Sequence, residues 1–413
     1  MKNGMAAVLV AGLVGWAATA WADDPLPRAK PEDVGLSSER LARIATFAKA
    51  EIDAGQIPGA VIAVARRGKL VYYEAFGQSD KKAGTTMTTD TIFSLASMTK
   101  PMTTVAALQL YEQGRLLIDD PLAKYFPKFA EMKVAVWDDL SKGIRDTAPA
   151  ARQITIQDLM RHTSGLSYGG SGTSMLHKQY APSSNGASRT LTGQELMDKM
   201  TALPLAHEPG TVWEYSFGLD VLGFVVEKIT QKPLGEVLQE MIWKPLGMVD
   251  TSFVVPADKA RRYARGIQDI PSPLVPTKFE CGGGCAVGTP SDYLRFASML
   301  LAGGKLGETR LLGRKTVEYM TANQLPPGSR SQMRGSFADW GFGLSVAVRT
   351  TEGVARDSGS VGTFSWPGGY GTYWWADPKE ELIAVWMAPT PVGPTQLRYR
   401  HTINALVNQA IVD

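Results

Sequence analysis

Histidine and cysteine are scarce in this chain: four histidines and two cysteines among 413 residues. None of His162, His177, His207 and His401 is paired with another ligand type at metal-binding spacing, so a zinc or iron–sulfur centre has almost nothing to be built from. No metal and no other cofactor is expected. An excess of one charge is missing too. The 43 Lys and Arg nearly balance the 40 Asp and Glu, leaving +3, with both signs mixed along the chain. Without a basic stripe to neutralise phosphates, nucleic acid is not an expected partner. At 44% apolar and 20% charged residues the composition excludes intrinsic disorder.

Long apolar runs are absent beyond the N-terminus. There, Lys2 precedes an apolar run from Met5 to Ala18, and Ala20-Trp21-Ala22 before Asp23-Asp24 has the small-x-small form of a signal-peptidase site. The run is short of the ~20 residues that span a bilayer. A cleaved signal peptide over residues 1–22 is therefore expected, with a periplasmic or secreted destination and no stable membrane insertion after cleavage. In that oxidising setting Cys281 and Cys285, separated by three glycines, stand open between a disulfide and two buried or free thiols.

The rest of the chain divides by pattern. Ser37-Ser38-Glu39-Arg40 opens a helix to about Ala54, with Leu41, Ile44, Phe47 and Ile52 near one face. Ala60–Val64 and Leu70–Tyr73 flank the turn Arg66-Arg67-Gly68-Lys69 as a hairpin. Near the far end Gly343–Val348, Gly371–Trp375 and Leu382–Trp386 read as strands, closed by a helix over Thr395–Val412. Between them lie helical patterns and long loops. The expected fold is α/β (α+β). An antiparallel sheet of about five strands from both chain ends, residues 23–95 and 291–413, is flanked by helices, and a mostly helical domain, 96–290, is inserted.

Two patterns compete for the chemistry. The esterase pattern G-x-S-x-G occurs once, as Gly165-Leu166-Ser167-Tyr168-Gly169. A nucleophile elbow needs a strand entering and a helix leaving. Ser167 instead follows the helix end Asp158–His162 and leads into a glycine loop, while His401, far downstream, falls in the terminal helix. Ser167 reads as a polar loop residue near a cleft. The pattern S-x-x-K occurs twice. Ser79-Asp80-Lys81-Lys82 lies in a polar turn with nothing to activate either partner. Ser97-Met98-Thr99-Lys100 opens a helix, where residues i and i+3 share a face, so the ammonium of Lys100 reaches the Ser97 hydroxyl. Pro101 is tolerated in the first turn, and the positive potential of a helix start favours an alkoxide there.

Phe93-Ser-Leu-Ala-Ser97-Met-Thr-Lys100 resembles the nucleophile motif of the serine β-lactamase and penicillin-binding protein superfamily. Four more segments fit its class C β-lactamase and family VIII carboxylesterase branch, in order: His162-Thr-Ser-Gly-Leu166, Pro209-Gly-Thr-Val-Trp-Glu-Tyr-Ser216, Pro245-Leu-Gly-Met248 and Gly288-Thr-Pro-Ser-Asp-Tyr293. The resemblance runs from about residue 30 to the C-terminus. It implies an α/β domain and an all-helical domain with the nucleophile between them.

It also implies roles. Tyr215-Ser216-Phe217 stands where the superfamily has Tyr-x-Asn, so Tyr215 shuttles protons with Lys100, either of them serving as base. Phe217 replaces an amide that binds lactam side chains. Trp366-Pro367-Gly368 stands where lactam-hydrolysing relatives have Lys-Thr-Gly, and family VIII esterases often carry Trp-x-Gly there. The oxyanion hole is then the backbone N–H of Ser97 and of Gly369, and Tyr168, Phe217 and Trp366 line an apolar pocket. The implied activity is ester hydrolysis of small molecules through a Ser97 acyl-enzyme. β-Lactamase or D,D-peptidase and peptide or amide hydrolase activity are the alternatives on the same machinery, and loops Gly165–Leu191 and Gln324–Asp339 shape the substrate pocket.

Overall fold

Every residue of the strand Gly59–Arg66 (β1) is buried, a pattern that requires cover on both faces of the sheet. Alternate side chains enter two separate cores: Ala60, Ile62 and Val64 on one face, Val61, Ala63 and Ala65 on the other. The computed structural model describes residues 24–139, 143–266, 273–333, 337, 339–390 and 393–413. The expected signal peptide at 1–22 and parts of the loop 324–339 lie outside the described residues.

The strands following β1 are Lys69–Asp80 (β2), Thr85–Thr86 (β3), Gly341–Phe342 (β4), Ala347–Val348 (β5), Phe364–Ser365 (β6), Thr372–Asp377 (β7) and Leu382–Met387 (β8). They form one antiparallel sheet in the order β4-β5-β6-β7-β8-β1-β2-β3. Strands from the two chain ends thus meet at β8 and β1, where Ile62 faces Trp386 and Val64 faces Ala384. The sheet is eight strands wide rather than about five, because β3 to β6 are two-residue strands, too short to show a period.

Gly343–Val348 is not one strand. The chain reverses between β4 and β5, Ser345 takes φ +67°, and its N–H is spent on the Met160 carbonyl at 2.9 Å. Leu344 and Val346 are buried in that turn; a short apolar run records burial, not conformation.

Ser38–Asp53 (α1) begins where the Ser37 hydroxyl accepts the Arg40 N–H at 3.2 Å. Thr99–Glu112 (α2) is buried almost all round, as a helix in the middle of a core must be. Gly218–Thr230 (α3) packs against it. Pro290–Leu301 (α4) covers one face of the sheet with Tyr293, Leu294 and Ala297. The terminal helix Pro394–Asn408 (α5) covers the other with α1, joining Tyr399, Ile403 and Val407 to Leu41, Ile44 and Ala48.

Where the chain leaves the sheet for the helical region and returns, Phe93–Ser94 pairs antiparallel with Val287–Gly288. That small ladder brings the segment after Ser94 beside the segment before Val287, which carries Cys281 and Cys285. These two are disulfide-bonded, with Cα atoms 5.2 Å apart. Among the described residues no helix is long and apolar enough to cross a membrane.

Candidate active site

Ser97 sits in the single turn Ala96–Met98 that feeds α2. Ala96 before it is left-handed, φ +47°, a conformation that persists only where neighbours hold it. The Thr99 hydroxyl does so, donating to the Ala96 carbonyl at 2.7 Å and accepting the Ala286 N–H at 3.1 Å. Within residues 91–100 Ser97 alone is not buried. Tyr215 donates its phenolic hydrogen to Ser97 Oγ at 2.6 Å, and Lys100 Nζ stands 3.3 Å from the same atom. Lys100 is buried, its Nζ 4.5 Å from the centre of the Tyr215 ring and 2.5 Å from the Gly283 carbonyl. A hydroxyl within hydrogen-bond reach of both an amine and a phenol can pass its proton as it attacks.

Tyr215 is fixed by the residues around it. The Glu214 N–H donates to the His162 carbonyl at 2.9 Å, and the His162 ring packs 4.7 Å from the Tyr215 ring. His162 Nδ1 accepts the Ser216 N–H at 3.3 Å. Burial, with the nearby charge of Lys100, pulls its pKa well down, so this imidazole is neutral. The Glu214 carboxylate is buried and holds three partners: the Ser167 hydroxyl and His177 Nε2 at 3.1 Å on one oxygen, His207 Nε2 at 3.0 Å on the other. Burial alone raises its pKa, but those hydrogen bonds outweigh it and carry the value down to about 2.

Ser167 is therefore an anchor. Fully buried, it gives its hydrogen to a carboxylate, and both histidines in the cluster bond the carboxylate rather than the serine. A carboxyl that ionises at about 2 instead of 4.5 contributes about 3 kcal/mol of stability, complete above pH 4.5 and lost as the pH falls toward 2. Glu214→Gln should accordingly lower the unfolding free energy in urea by about that amount at pH 7. The wild-type and variant curves should converge as the pH drops through that window. Equal stability at pH 7 would show that the cluster does not hold the loop.

Trp366, Pro367 and Gly368 follow β6 and come alongside the nucleophile. A Cβ on Gly368 would collide with the Leu95 carbonyl, so glycine lets this backbone close on the segment leading to Ser97. Gly368 donates its N–H to Thr372 at 2.8 Å, while among the described residues no acceptor takes the N–H of Gly369. The Trp366 ring lies 5.5 Å from Tyr215 and 5.2 Å from Phe342. Tyr168 stands 5.3 Å from Tyr215 on another side. Phe217, with no exposed surface, backs Tyr168 at 4.3 Å instead of facing the cleft. Arg349, a cation near this edge of the sheet, is committed to the carbonyls of Thr351, Glu352 and Asp357. His401 is paired with Asp357 instead.

Ser97, Lys100 and Tyr215 are thus brought together, with Tyr168 and Trp366 beside them. Sequence reasoning missed the supports: Glu214, Asp220, His162 and Gly283. Two signals for them were present. Glu214 and Asp220 are the two charged residues in the stretch 212–226, and three successive glycines between the cysteines mark a backbone approached closely from several sides.

The family model described as Beta-lactamase matches residues 44–409. Protein Rv1367c of Mycobacterium tuberculosis (strain ATCC 25618 / H37Rv) is 39% identical over 357 residues, covering 81% of this chain and 86% of that one. Esterase EstB of Burkholderia gladioli is 30% identical over 382 residues, covering 85% and 91%. Among solved structures, EstCE1, a hydrolase with promiscuous acyltransferase activity, superimposes with a TM-score of 0.73 at 27% identity, covering 89% of this chain and 98% of that one. Family match, esterase relatives and shared fold agree with the serine, lysine and tyrosine gathered at one point: the chain is a serine hydrolase belonging to the Beta-lactamase family, in the branch that resembles family VIII carboxylesterases.

Proposed function

We propose that the protein is a carboxylesterase acting on small esters of short to medium chain length, periplasmic or secreted. Ser97 attacks the ester carbonyl, Lys100 and Tyr215 carry the proton from its hydroxyl to the leaving alcohol, and water releases the acyl group. The N–H groups of Ser97 and Gly369 receive the oxyanion, and no cofactor takes part. The site lies between the sheet part, residues 23–95 and 291–413, and the helical insertion, 96–290. Tyr168 and Trp366 wall it, with Phe217 behind.

One observation supports the choice of ester over lactam: the Trp366 indole, followed in the chain by Pro367, stands 5.5 Å from the Tyr215 ring, in the segment where lactam-hydrolysing relatives carry the lysine and threonine that hold a substrate carboxylate. Bringing a carboxylate there strips its water without a charged hydrogen-bond partner, which costs several kcal/mol. A loss of ~3–4 kcal/mol corresponds to two to three orders of magnitude in rate. The specificity constant for a four-carbon nitrophenyl ester should exceed that for benzylpenicillin by at least ~100-fold. An equal or larger constant for benzylpenicillin would contradict the reading. It would transfer the anchoring role to Arg400, which lies 6.0 Å over the Tyr373 ring and bonds Gln396, itself a donor to the Gly369 carbonyl.

A further inference from the structure

We infer that Asp220 is the positioning residue for the amine of Lys100, acting through Gly283; this rests on the proton-shuttle reading given above. A lysine side chain is a flexible four-carbon stem ending in a point charge, so a base at its tip needs something to hold it. The contact with Ser97, 3.3 Å, is long for that purpose, and the short one, 2.5 Å, goes to the Gly283 carbonyl.

Gly283 is the middle residue of the glycine loop closed by the Cys281–Cys285 disulfide. Such a loop has no side chains of its own with which to fix its place, so the support comes from outside. The Gly283 N–H donates to Asp220 Oδ1 at 3.0 Å, and the Gly282 carbonyl accepts the Thr103 hydroxyl at 2.9 Å. A Cβ on Gly283 would collide with Asp220 Oδ2 and stand 2.6 Å from Ser184 Oγ. Only glycine allows so close an approach.

Asp220 sits in the first turn of α3 and is 1% exposed. Its second oxygen accepts the Ser184 hydroxyl at 2.7 Å and the Tyr168 hydroxyl at 3.3 Å. Burial raises its pKa, and the charge of Lys100 works in the opposite direction. A carboxylate is an expensive way to tie a helix to a loop in a dry interior. Here it does so on the very residue whose carbonyl accepts the lysine, and the charge of Lys100 offsets part of that cost. The chain Asp220–Gly283–Lys100–Ser97 thus runs from a rigid helix to the nucleophile.

A fluorophosphonate probe tests this without reference to the natural ester, because the bond from phosphorus to Ser97 Oγ forms as fluoride leaves and reports activation of the serine directly. Asp220→Ala should slow the limiting rate of labelling by at least ~100-fold, the scale of a positioned acid–base group, while the half-saturating probe concentration stays within ~3-fold. Asp220→Asn, whose amide oxygen still accepts the Gly283 N–H, should recover at least ~10-fold of that loss. Gly283→Ala, which forces the loop away from Asp220, should show the same loss in limiting rate. Rates are taken per folded molecule, from near-ultraviolet circular dichroism. Wild-type labelling rates in folded Asp220→Ala would overturn the inference, as would wild-type rates in Gly283→Ala should the first variant not fold, or an Asp220→Asn as slow as Asp220→Ala. Wild-type enzyme that labels at Ser97 yet turns over no ester would contradict the carboxylesterase reading and leave this comparison intact.

Discussion

Ser97→Ala is expected to abolish ester turnover, a loss of at least ~10⁴-fold, because the substitution removes the atom that becomes acylated. Ser167→Ala should keep most of the activity, although Ser167 lies in the pattern that most often announces an esterase nucleophile. The difference is in what each hydroxyl can do. Ser97 Oγ is reached by both Tyr215 and Lys100, on a residue that is only half-buried. Ser167 Oγ is enclosed and bonded to the Glu214 carboxylate. Its removal weakens an anchor of the loop before Tyr215, an effect on stability more than on chemistry. A folded Ser167→Ala enzyme without turnover would overturn the assignment.

Lys100→Ala and Tyr215→Phe should each lower kcat by at least ~100-fold, the scale set by positioned proton-transfer groups. Tyr215→Phe is the cleaner of the two. It deletes one oxygen, 2.6 Å from Ser97, and leaves the ring contacts with His162, Tyr168 and Trp366 in place. Lys100→Ala also frees the Gly283 carbonyl, so its effect combines lost proton transfer with a loosened loop. The measurement is the rate on a short-chain nitrophenyl ester, with circular dichroism to show that each variant is folded. A near-normal rate in Tyr215→Phe would remove that residue from the mechanism.

The parts of this site that were legible in the sequence are those made by neighbours in the chain. Ser97 and Lys100 lie one turn apart where a helix begins, so their spacing alone places them together. The hydroxyl of Ser37 caps α1, and β1 and β2 are joined by a tight turn, again local chemistry. Tyr215 came from resemblance, since nothing within ten residues of it points toward Ser97. The supports were out of reach for a physical reason. Lys100 and Gly283 are 183 positions apart, and they meet through contacts made only in the folded chain, among them the pairing of Phe93–Ser94 with Val287–Gly288 and the bonds Thr99–Ala286 and Thr103–Gly282. Phe217 and Arg349 show the converse. Both have a side chain suited to a pocket or a ligand, and both are spent on the interior, one behind Tyr168 and the other on three backbone carbonyls.

The most direct measurement of the central claim is the mass of the enzyme quenched in acid during steady turnover of a nitrophenyl ester, followed by peptide mapping. The account predicts an increment equal to the acyl group on the peptide containing Ser97, absent from Ser97→Ala. An acyl group found on the peptide containing Ser167, or steady turnover by Ser97→Ala, would contradict it.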